Sequence, residues 1–194
     1  PAREEFEEVR SFARNLHGVG TIEPWDLAYY SEKLREHRYA LTQEELRPYF
    51  PISRVLNGLF NLLGQLFGIR IREVQGVEIW HPEVRFYEIR MADGDLRGQF
   101  YLDPFARPNK RGGAWMDVCI NRLHTLTYDQ IPCAYLVCNF TPPVGDQASL
   151  LTHTEVLTLF HEFGHGLHHL LTQIDYPAVG GISGVPWDAV ELPS

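Results

Sequence analysis

The sequence predicts an α+β fold that is mainly helical and contains one small antiparallel β-sheet. Apolar residues recur at helical spacing in the first and last thirds of the chain, whereas β-prone runs dominate the middle. Clusters of Gly and Pro separate these segments. We therefore expect a helical segment at residues 1–72, a β-rich segment at 73–141 and two further helices at 152–194.

The first segment is expected to contain four helices. The apolar residues within 3–17 form one stripe at helical spacing, which predicts the first helix. A second helix is predicted over residues 24–41, because its first residue is a proline, which is favoured in the first turn of a helix. Thr42 followed by Glu45 is a capping-box pattern that starts a third helix. Residues 52–69, "ISRVLNGLFNLLGQLFGI", are apolar on nearly every side, which predicts a helix buried within a larger body.

The middle segment carries the signals of a hairpin and two further strands. Residues 84–103 contain two β-prone runs on either side of the turn sequence at 92–95. Residues 112–120 and 133–141 have the composition of two more strands. The Pro- and Gly-containing stretch at 139–149 is predicted to be a loop that leads back to helical structure.

Two helices are predicted in the last segment. Thr152 and Glu155 form a second capping-box pattern, which opens an amphipathic helix over residues 153–173. After the flexible sequence "GGISG", the stretch at 186–194 is expected to begin an antiparallel helix. Asp188 is placed to be the N-cap of that helix.

Composition and charge narrow the classes of partner. The chain has 194 residues and a net charge of −8, which argues against binding to nucleic acid or to an anionic membrane surface. No segment has the uninterrupted apolar length of a membrane span. Cys119, Cys133 and Cys138 are odd in number and lack a metal-binding spacing, so they are interpreted as reduced thiols of a cytoplasmic protein.

The sequence "HEFGH" at 161–165 is a candidate metal site. Residues four apart on a helix project from nearly the same face, so His161 and His165 can reach one ion. Glu162 lies one step round the helix, where a carboxylate suits a base that takes a proton from water. A chance match of the five letters is the alternative, and the predicted amphipathic helix argues against it.

A catalytic zinc needs a third protein ligand from another segment, because such sites keep one position open. The acidic residues after the motif are Asp175, Asp188 and Glu191. Asp175 lies too near the helix end to fold back, so Glu191 is the predicted ligand. The alternative is that Asp188 and Glu191 form only a capping box.

Two further histidines follow the motif on other faces of the helix. His168 and His169 are displaced around the helix from the face that carries His161 and His165. We therefore predict that both residues pack or form hydrogen bonds and that neither is a ligand.

Several stretches together resemble the thimet oligopeptidase family of zinc metallopeptidases. The resemblance covers almost the whole chain and includes "LTHTEVLTLFHEFGHGLHHLLTQ", "SGVPWDAVELPS", "PWDLAYYSEKLRE", "YFPISRVLNGLF", "WHPEVRFYEIR", "GQFYLDPFARPNKRGGAW" and "CNFTPP". It implies a zincin-like fold and one zinc ion bound by His161, His165 and Glu191, with Glu162 as the catalytic glutamate.

The resemblance also implies an endopeptidase that acts on short peptides. Proteins of this family are much longer, and their oxyanion-stabilising residues follow the position of Glu191. The chain opens on Pro1 and stops within "DAVELPS", so we expect residues 1–194 to be part of a larger catalytic domain and to lack full activity alone. A thermolysin-type zinc protease and a non-catalytic helical scaffold are the alternative functions.

Overall fold

The computed structural model describes residues 2–40 and 42–194, which form two compact units, Pro1–Leu46 and Arg47–Ser194. Each unit has an apolar core of its own. Among the described residues, no helix combines the length and the apolar character that crossing a bilayer requires.

The described residues of the first unit contain three helices, and the first two contribute to a small core in which Ala13 is fully buried. The helices are α1 (Ala2–His17), α2 (Leu27–Tyr39) and α3 (Gln43–Leu46). The helix predicted over residues 3–17 is confirmed. The second helix begins at Leu27, later than predicted, because residues 24–26 form a turn. Residue 41, expected at its end, lies outside the described residues.

The second unit is built on a five-stranded sheet with the order β1-β2-β3-β7-β4. Its strands are β1 (Ile69–Glu73), β2 (Arg85–Met91), β3 (Leu96–Phe105), β4 (Trp115–Ile120) and β7 (Cys133–Phe140). Short strands β5 (Leu123–His124) and β6 (Asp129–Gln130) pair separately. The α+β class and the two strands predicted near residues 112–120 and 133–141 are confirmed.

The prediction of a purely antiparallel sheet is wrong, because β3 and β7 pair in parallel. After β3 the chain first forms the edge strand β4 and then returns through the β5–β6 pair, so β7 enters between β3 and β4. Strand periodicity shows which residues share a face but does not identify the neighbouring strand. Strand β1 is not predicted from the sequence, because its first residue, Ile69, continues the apolar pattern of the preceding helix.

The hairpin between β2 and β3 has the predicted turn at residues 92–95. The Met91 N–H donates to the Asp95 carbonyl at 2.9 Å, and the Gly94 N–H donates to the Met91 carbonyl at 3.0 Å. Gly94 has φ +94°, a conformation that glycine adopts without a side-chain penalty.

Helices α4 (Ile52–Phe67) and α5 (His153–Leu170) contribute to the same apolar core against the sheet. The Phe163 ring of α5 lies 5.2 Å from Phe100 of β3 and 6.0 Å from Phe60 of α4, measured between centroids. In this chain only one face of α4 is covered, and Leu66 and Phe67 are exposed, so burial of the helix within a larger body stays a prediction.

The predicted final helix does not form. Residues 186–194 make successive turns, in which the Ala189 N–H donates to the Pro186 carbonyl at 3.0 Å and the Leu192 N–H to the Ala189 carbonyl at 3.2 Å. The stretch between Pro186 and Pro193 is too short to offset the cost of nucleating a helix. The capping role that we considered for Asp188 is therefore wrong.

A buried ion cluster holds the β3–β7 pair together. The Asp103 carboxylate accepts two hydrogen bonds of 2.7 Å from Arg107 and one of 2.8 Å from Lys110. Lys110 also donates to the carbonyls of Phe105 in β3 and Cys138 in β7, at 2.7 Å and 2.6 Å. Burial opposes ionisation of Asp103, but the hydrogen bonds from Arg107 and Lys110 outweigh it and keep the pKa of this carboxyl below its ordinary value.

Replacing the buried carboxylate is expected to destabilise the second unit strongly. Asp103→Ala leaves Lys110, which has a 6% exposed side chain, without its countercharge. The free energy of unfolding, measured by urea denaturation, is expected to fall by about 3–5 kcal/mol at neutral pH. Asp146→Ala, which removes an exposed carboxylate, is the matched control.

The same variant has an expected pH signature. The pKa of Asp103 is lower in the folded state, so its contribution is complete above the unfolded value of about 3.9 and is lost as the pH falls through the folded value. The stability difference between wild type and Asp103→Ala should therefore shrink below about pH 4. A difference that is constant with pH would contradict an ionised Asp103.

Candidate metal centre

Helix α5 begins at a well-formed cap. The Glu155 N–H donates to Thr152 Oγ1 at 3.1 Å, and the Thr152 N–H donates to Glu155 Oε2 at 2.7 Å. This reciprocal pair is the capping box that the sequence predicted, and it satisfies backbone donors that the first turn leaves free. The cap therefore fixes where the helix starts.

The inner face of α5 lies directly on the sheet. Leu159, Phe163 and Leu170 are almost completely buried. A Cβ atom placed on Gly98 of β3 would lie 2.9 Å from Leu170 Cβ, so the absence of a side chain there permits the close approach. The neighbouring face, which carries His161 and His165, lies at the margin of the sheet beside β4.

The structure brings together the three residues that the sequence analysis selected as ligands. Glu191 Oε2 lies 3.1 Å from His165 Nε2 and 3.3 Å from His161 Nε2. The candidate ligand atoms of the three residues all lie within 4.8 Å of one another. The two imidazole rings are nearly perpendicular, with centroids 4.9 Å apart. Asp188 does not belong to this group.

The three side chains differ in their exposure to solvent. His165 is 10% exposed, His161 is 45% exposed and Glu191 is 64% exposed. Ser194 Oγ donates to Glu191 Oε2 at 2.9 Å. This hydrogen bond and the two imidazoles hold the pKa of the Glu191 carboxyl below its ordinary value, so the residue is an anion at neutral pH.

Glu162 lines the same cavity as the three candidate ligands. Its side chain is buried, and burial raises the pKa of its carboxyl above the ordinary value, although His161, His165 and the Met116 backbone N–H oppose the rise. A cavity of about 470 Å³ opens in front of it. The lining residues of this cavity include the three candidate ligands, Glu162, and Met116 of the edge strand β4.

The segment that returns from α5 to Glu191 is held at several points. Asp175 forms an ion pair with Arg122 at 2.9 Å, and Ser183 Oγ donates to Asn121 Oδ1 at 3.1 Å. Both anchors attach the segment to the chain just after β4. Sequence reasoning missed Asn121, Arg122 and Ser183, because nothing in their spacing distinguishes them from other polar residues.

His169 packs against this segment and is not among the candidate ligands. It is fully buried, and its Nε2–H donates to the Ile120 carbonyl at 3.0 Å. Burial lowers the pKa of the ring, which favours the neutral form. A Cβ atom on Gly181 would lie 2.8 Å from His169 Cα, so the returning backbone rests directly on this residue. The hydrogen bond of His169 confirms that this residue packs and forms a hydrogen bond, and the absence of a ligand role for His168 and His169 stays a prediction.

Known proteins match this chain over nearly its whole length. The profile of peptidase family M3 matches residues 2–194. Oligopeptidase A of Escherichia coli strain K12 is 54% identical over 191 residues, which cover 98% of this chain and 28% of that protein. Organellar oligopeptidase A of Arabidopsis thaliana is 46% identical over 201 residues, covering 100% of this chain and 25% of that protein. Dipeptidyl carboxypeptidase of Salmonella typhimurium strain LT2 is 41% identical over 199 residues, covering 100% and 29%.

The chain belongs to peptidase family M3, whose members are metallopeptidases. The resemblance to thimet oligopeptidases that the sequence motifs indicated is therefore confirmed. The chain spans between 25% and 29% of the length of these three relatives.

Removing the cap of α5 is expected to destabilise the helix that carries the centre. Thr152→Ala deletes the oxygen that accepts from the Glu155 N–H, so the free energy of unfolding should fall by about 1 kcal/mol. Chemical denaturation followed by circular dichroism measures this loss.

A second capping box in the chain provides the matched control. The Glu45 N–H donates to Thr42 Oγ1 at 3.2 Å, as the sequence predicted, but the capped helix α3 has only four residues. Thr42→Ala is expected to have a smaller effect because less helix depends on it. Equal losses of unfolding free energy in the two variants would contradict the expectation that the cap of α5 stabilises more structure than the cap of α3.

Proposed function

We propose that this chain carries the zinc site of a peptidase that hydrolyses short peptides. The observation that supports it most directly is the convergence of His161, His165 and Glu191 from two segments of the chain, with Glu162 alongside. Membership of peptidase family M3 supports the reaction class. It also favours this function over the thermolysin-type and scaffold alternatives.

The ligand group suits zinc in chemistry and in spacing. Two imidazoles and one carboxylate are a common ligand set of catalytic zinc, which keeps its fourth position for water or substrate. Ligand atoms about 2.0–2.2 Å from a tetrahedral ion lie about 3.3–3.5 Å apart. The distances of 3.1 Å and 3.3 Å from the Glu191 oxygen to the two imidazole nitrogens are close to that range.

His161, His165 and Glu191 would hold the ion, and Glu162 would move the proton. When bound, zinc supplies Lewis acidity that polarises the scissile carbonyl and makes water a stronger acid. Glu162 accepts the proton of the attacking water and passes it to the nitrogen of the departing amine. Burial suits the first of these steps, because a carboxylate whose pKa is raised is a stronger base toward the proton of water.

Peptide substrates also suit the edge of the sheet beside this group. Strand β4 pairs with β7 on one side, and its first residues, Trp115 and Met116, line the cavity in front of Glu162 together with the preceding Ala114. An extended peptide can add to such an edge through backbone hydrogen bonds, which recognise the main chain more than the side chains. The relatives named oligopeptidase A and dipeptidyl carboxypeptidase support substrates of this class.

We infer that residues 1–194 are part of a zincin-like catalytic domain and that most turnover needs the rest of that domain. Among the described residues that line the cavity there is no Tyr, Arg or Lys to stabilise an oxyanion. A single donor of this kind contributes about 10²–10³ in rate. We therefore expect the chain alone to bind zinc but to hydrolyse peptides slowly.

Zinc titration by calorimetry tests the ligand assignment. The full chain is expected to bind one ion, and His161→Ala and Glu191→Ala should each weaken binding by about 100-fold or more, because each removes a direct ligand. His124→Ala, which removes an exposed histidine elsewhere in the unit, is the control and should bind as wild type does. Equal heats for wild type and His161→Ala would contradict the proposal.

A substitution at Glu162 separates metal binding from proton transfer. Glu162→Gln keeps the shape of the side chain but cannot accept a proton. In a protein of the relatives' length that contains this chain, kcat should fall by about 10²–10⁴, and the zinc content should stay at one ion per chain. Cleavage of a fluorogenic short peptide measures the rate. An unchanged kcat would assign the base to another residue.

A further inference from the structure

Gly164 lies in α5 between the two candidate histidine ligands, where the helix meets the backbone of the returning segment. A Cβ atom built on Gly164 would lie 2.5 Å from the Pro193 carbonyl oxygen and 2.7 Å from Ser194 Cα. Both atoms belong to the backbone, so they cannot turn away as the end of a flexible side chain can. A methyl group at this position therefore requires the segment around Pro193 to move.

The other glycines in the long helices are less closely packed, and the nearest case is Gly64 of α4, where a Cβ atom would lie 3.2 Å from the Ile69 carbonyl oxygen. A Cβ atom on Gly58 of α4 would have no neighbour within 4 Å, and one on Gly166 of α5 would meet only the Leu136 side chain, at 3.1 Å or more. Glycine is also among the poorest helix formers. Since Gly164 does not have a positive φ, neither helix formation nor backbone conformation accounts for glycine at this position.

The backbone that would collide with a Gly164 side chain is coupled to Glu191. Ser194 Oγ donates to both the carbonyl and the carboxylate of Glu191, at 3.0 Å and 2.9 Å. Leu192 closes the preceding turn by donating to the Ala189 carbonyl at 3.2 Å. A displacement at Pro193 is therefore transmitted over a short, hydrogen-bonded stretch to the Glu191 carboxylate.

We propose that Gly164 is a positioning residue for the metal centre. Its missing side chain lets the backbone of Pro193 and Ser194 lie against α5, and this contact brings the Glu191 carboxylate to the two histidines. The proposal rests on the proposed zinc site, because it concerns the placement of the third ligand. Gly164 itself touches neither metal nor substrate.

Metal binding by Gly164→Ala tests the proposal. Titration of the full chain with zinc alone is expected to show affinity reduced by about 10- to 100-fold, a loss that does not exceed the one expected for Glu191→Ala. Gly58→Ala is the matched control, because it makes the same change in a helix where the methyl group has free space. It should bind zinc as the wild type does.

A cobalt(II) probe reports on the ligand set independently of affinity. The visible absorption of the cobalt-loaded wild type is expected to change in Gly164→Ala in the same direction as in Glu191→Ala. A role confined to stability would leave this spectrum unaltered. The double variant Gly164→Ala/Glu191→Ala should bind no more weakly than Glu191→Ala, because two changes that act through one ligand are not additive.

The outcomes separate this inference from the zinc site on which it rests. If the wild type binds no zinc, both fail. If the wild type binds zinc and Gly164→Ala binds it equally well, the positioning role is wrong and the zinc site stands. Additive losses in the double variant would also overturn the inference. So would a loss of helical circular dichroism in Gly164→Ala, because the displaced segment lies at the surface and can move without unfolding α5.

Discussion

The approach of Glu191 to the two histidines of α5 is the contact on which the site depends. A carboxylate 3.1 Å from His165 and 3.3 Å from His161 concentrates three electron-pair donors in a small volume. Unless an ion or a proton lies between them, the convergence of such donors at this spacing is energetically unfavourable. Every other feature of the site either places α5, places the segment that carries Glu191, or sets the protonation of its neighbours.

The two halves of this contact are held by different forces. Helix α5 is placed by apolar burial on the sheet and by the cap at Thr152. The returning segment buries little, since residues 186–188 and 191–194 are exposed, and it depends on directional contacts to Asn121 and Arg122. Close backbone approaches at Gly164 and Gly181 complete its placement. The position of Glu191 therefore depends on a few polar and steric contacts, whereas the positions of His161 and His165 depend on an apolar core.

The reliability of the sequence-based predictions follows from the range of the interactions involved. Residues close together in the chain determine the helix over residues 153–170, its capping box and the hairpin turn at 92–95. The sequence pattern is therefore sufficient to predict these three features. The parallel pairing of β3 with β7 and the turns at 186–194 depend on distant contacts, and both were predicted wrongly. The structure brings Glu191 to the histidines although it adopts turns instead of the expected helix. A ligand can thus be identified from its chemistry even when the local conformation is not.

The parallel pair β3–β7 shows how the opposite face of the sheet supports the site. Lys110 donates to carbonyls in both strands, and Asp103 neutralises it, so the pair is fixed where its register shifts, between Asp103 and Phe105. On the other face, Phe100 and Leu136 of the same strands form the surface on which α5 rests. Because desolvating charges is costly, such a cluster adds little net stability. Its hydrogen bonds are directional, however, and they favour one register of the strands over others that apolar packing alone would tolerate. The alignment of α5, and with it the spacing of His161 and His165 from β4, thus depends in part on a charged cluster on the far side of the sheet.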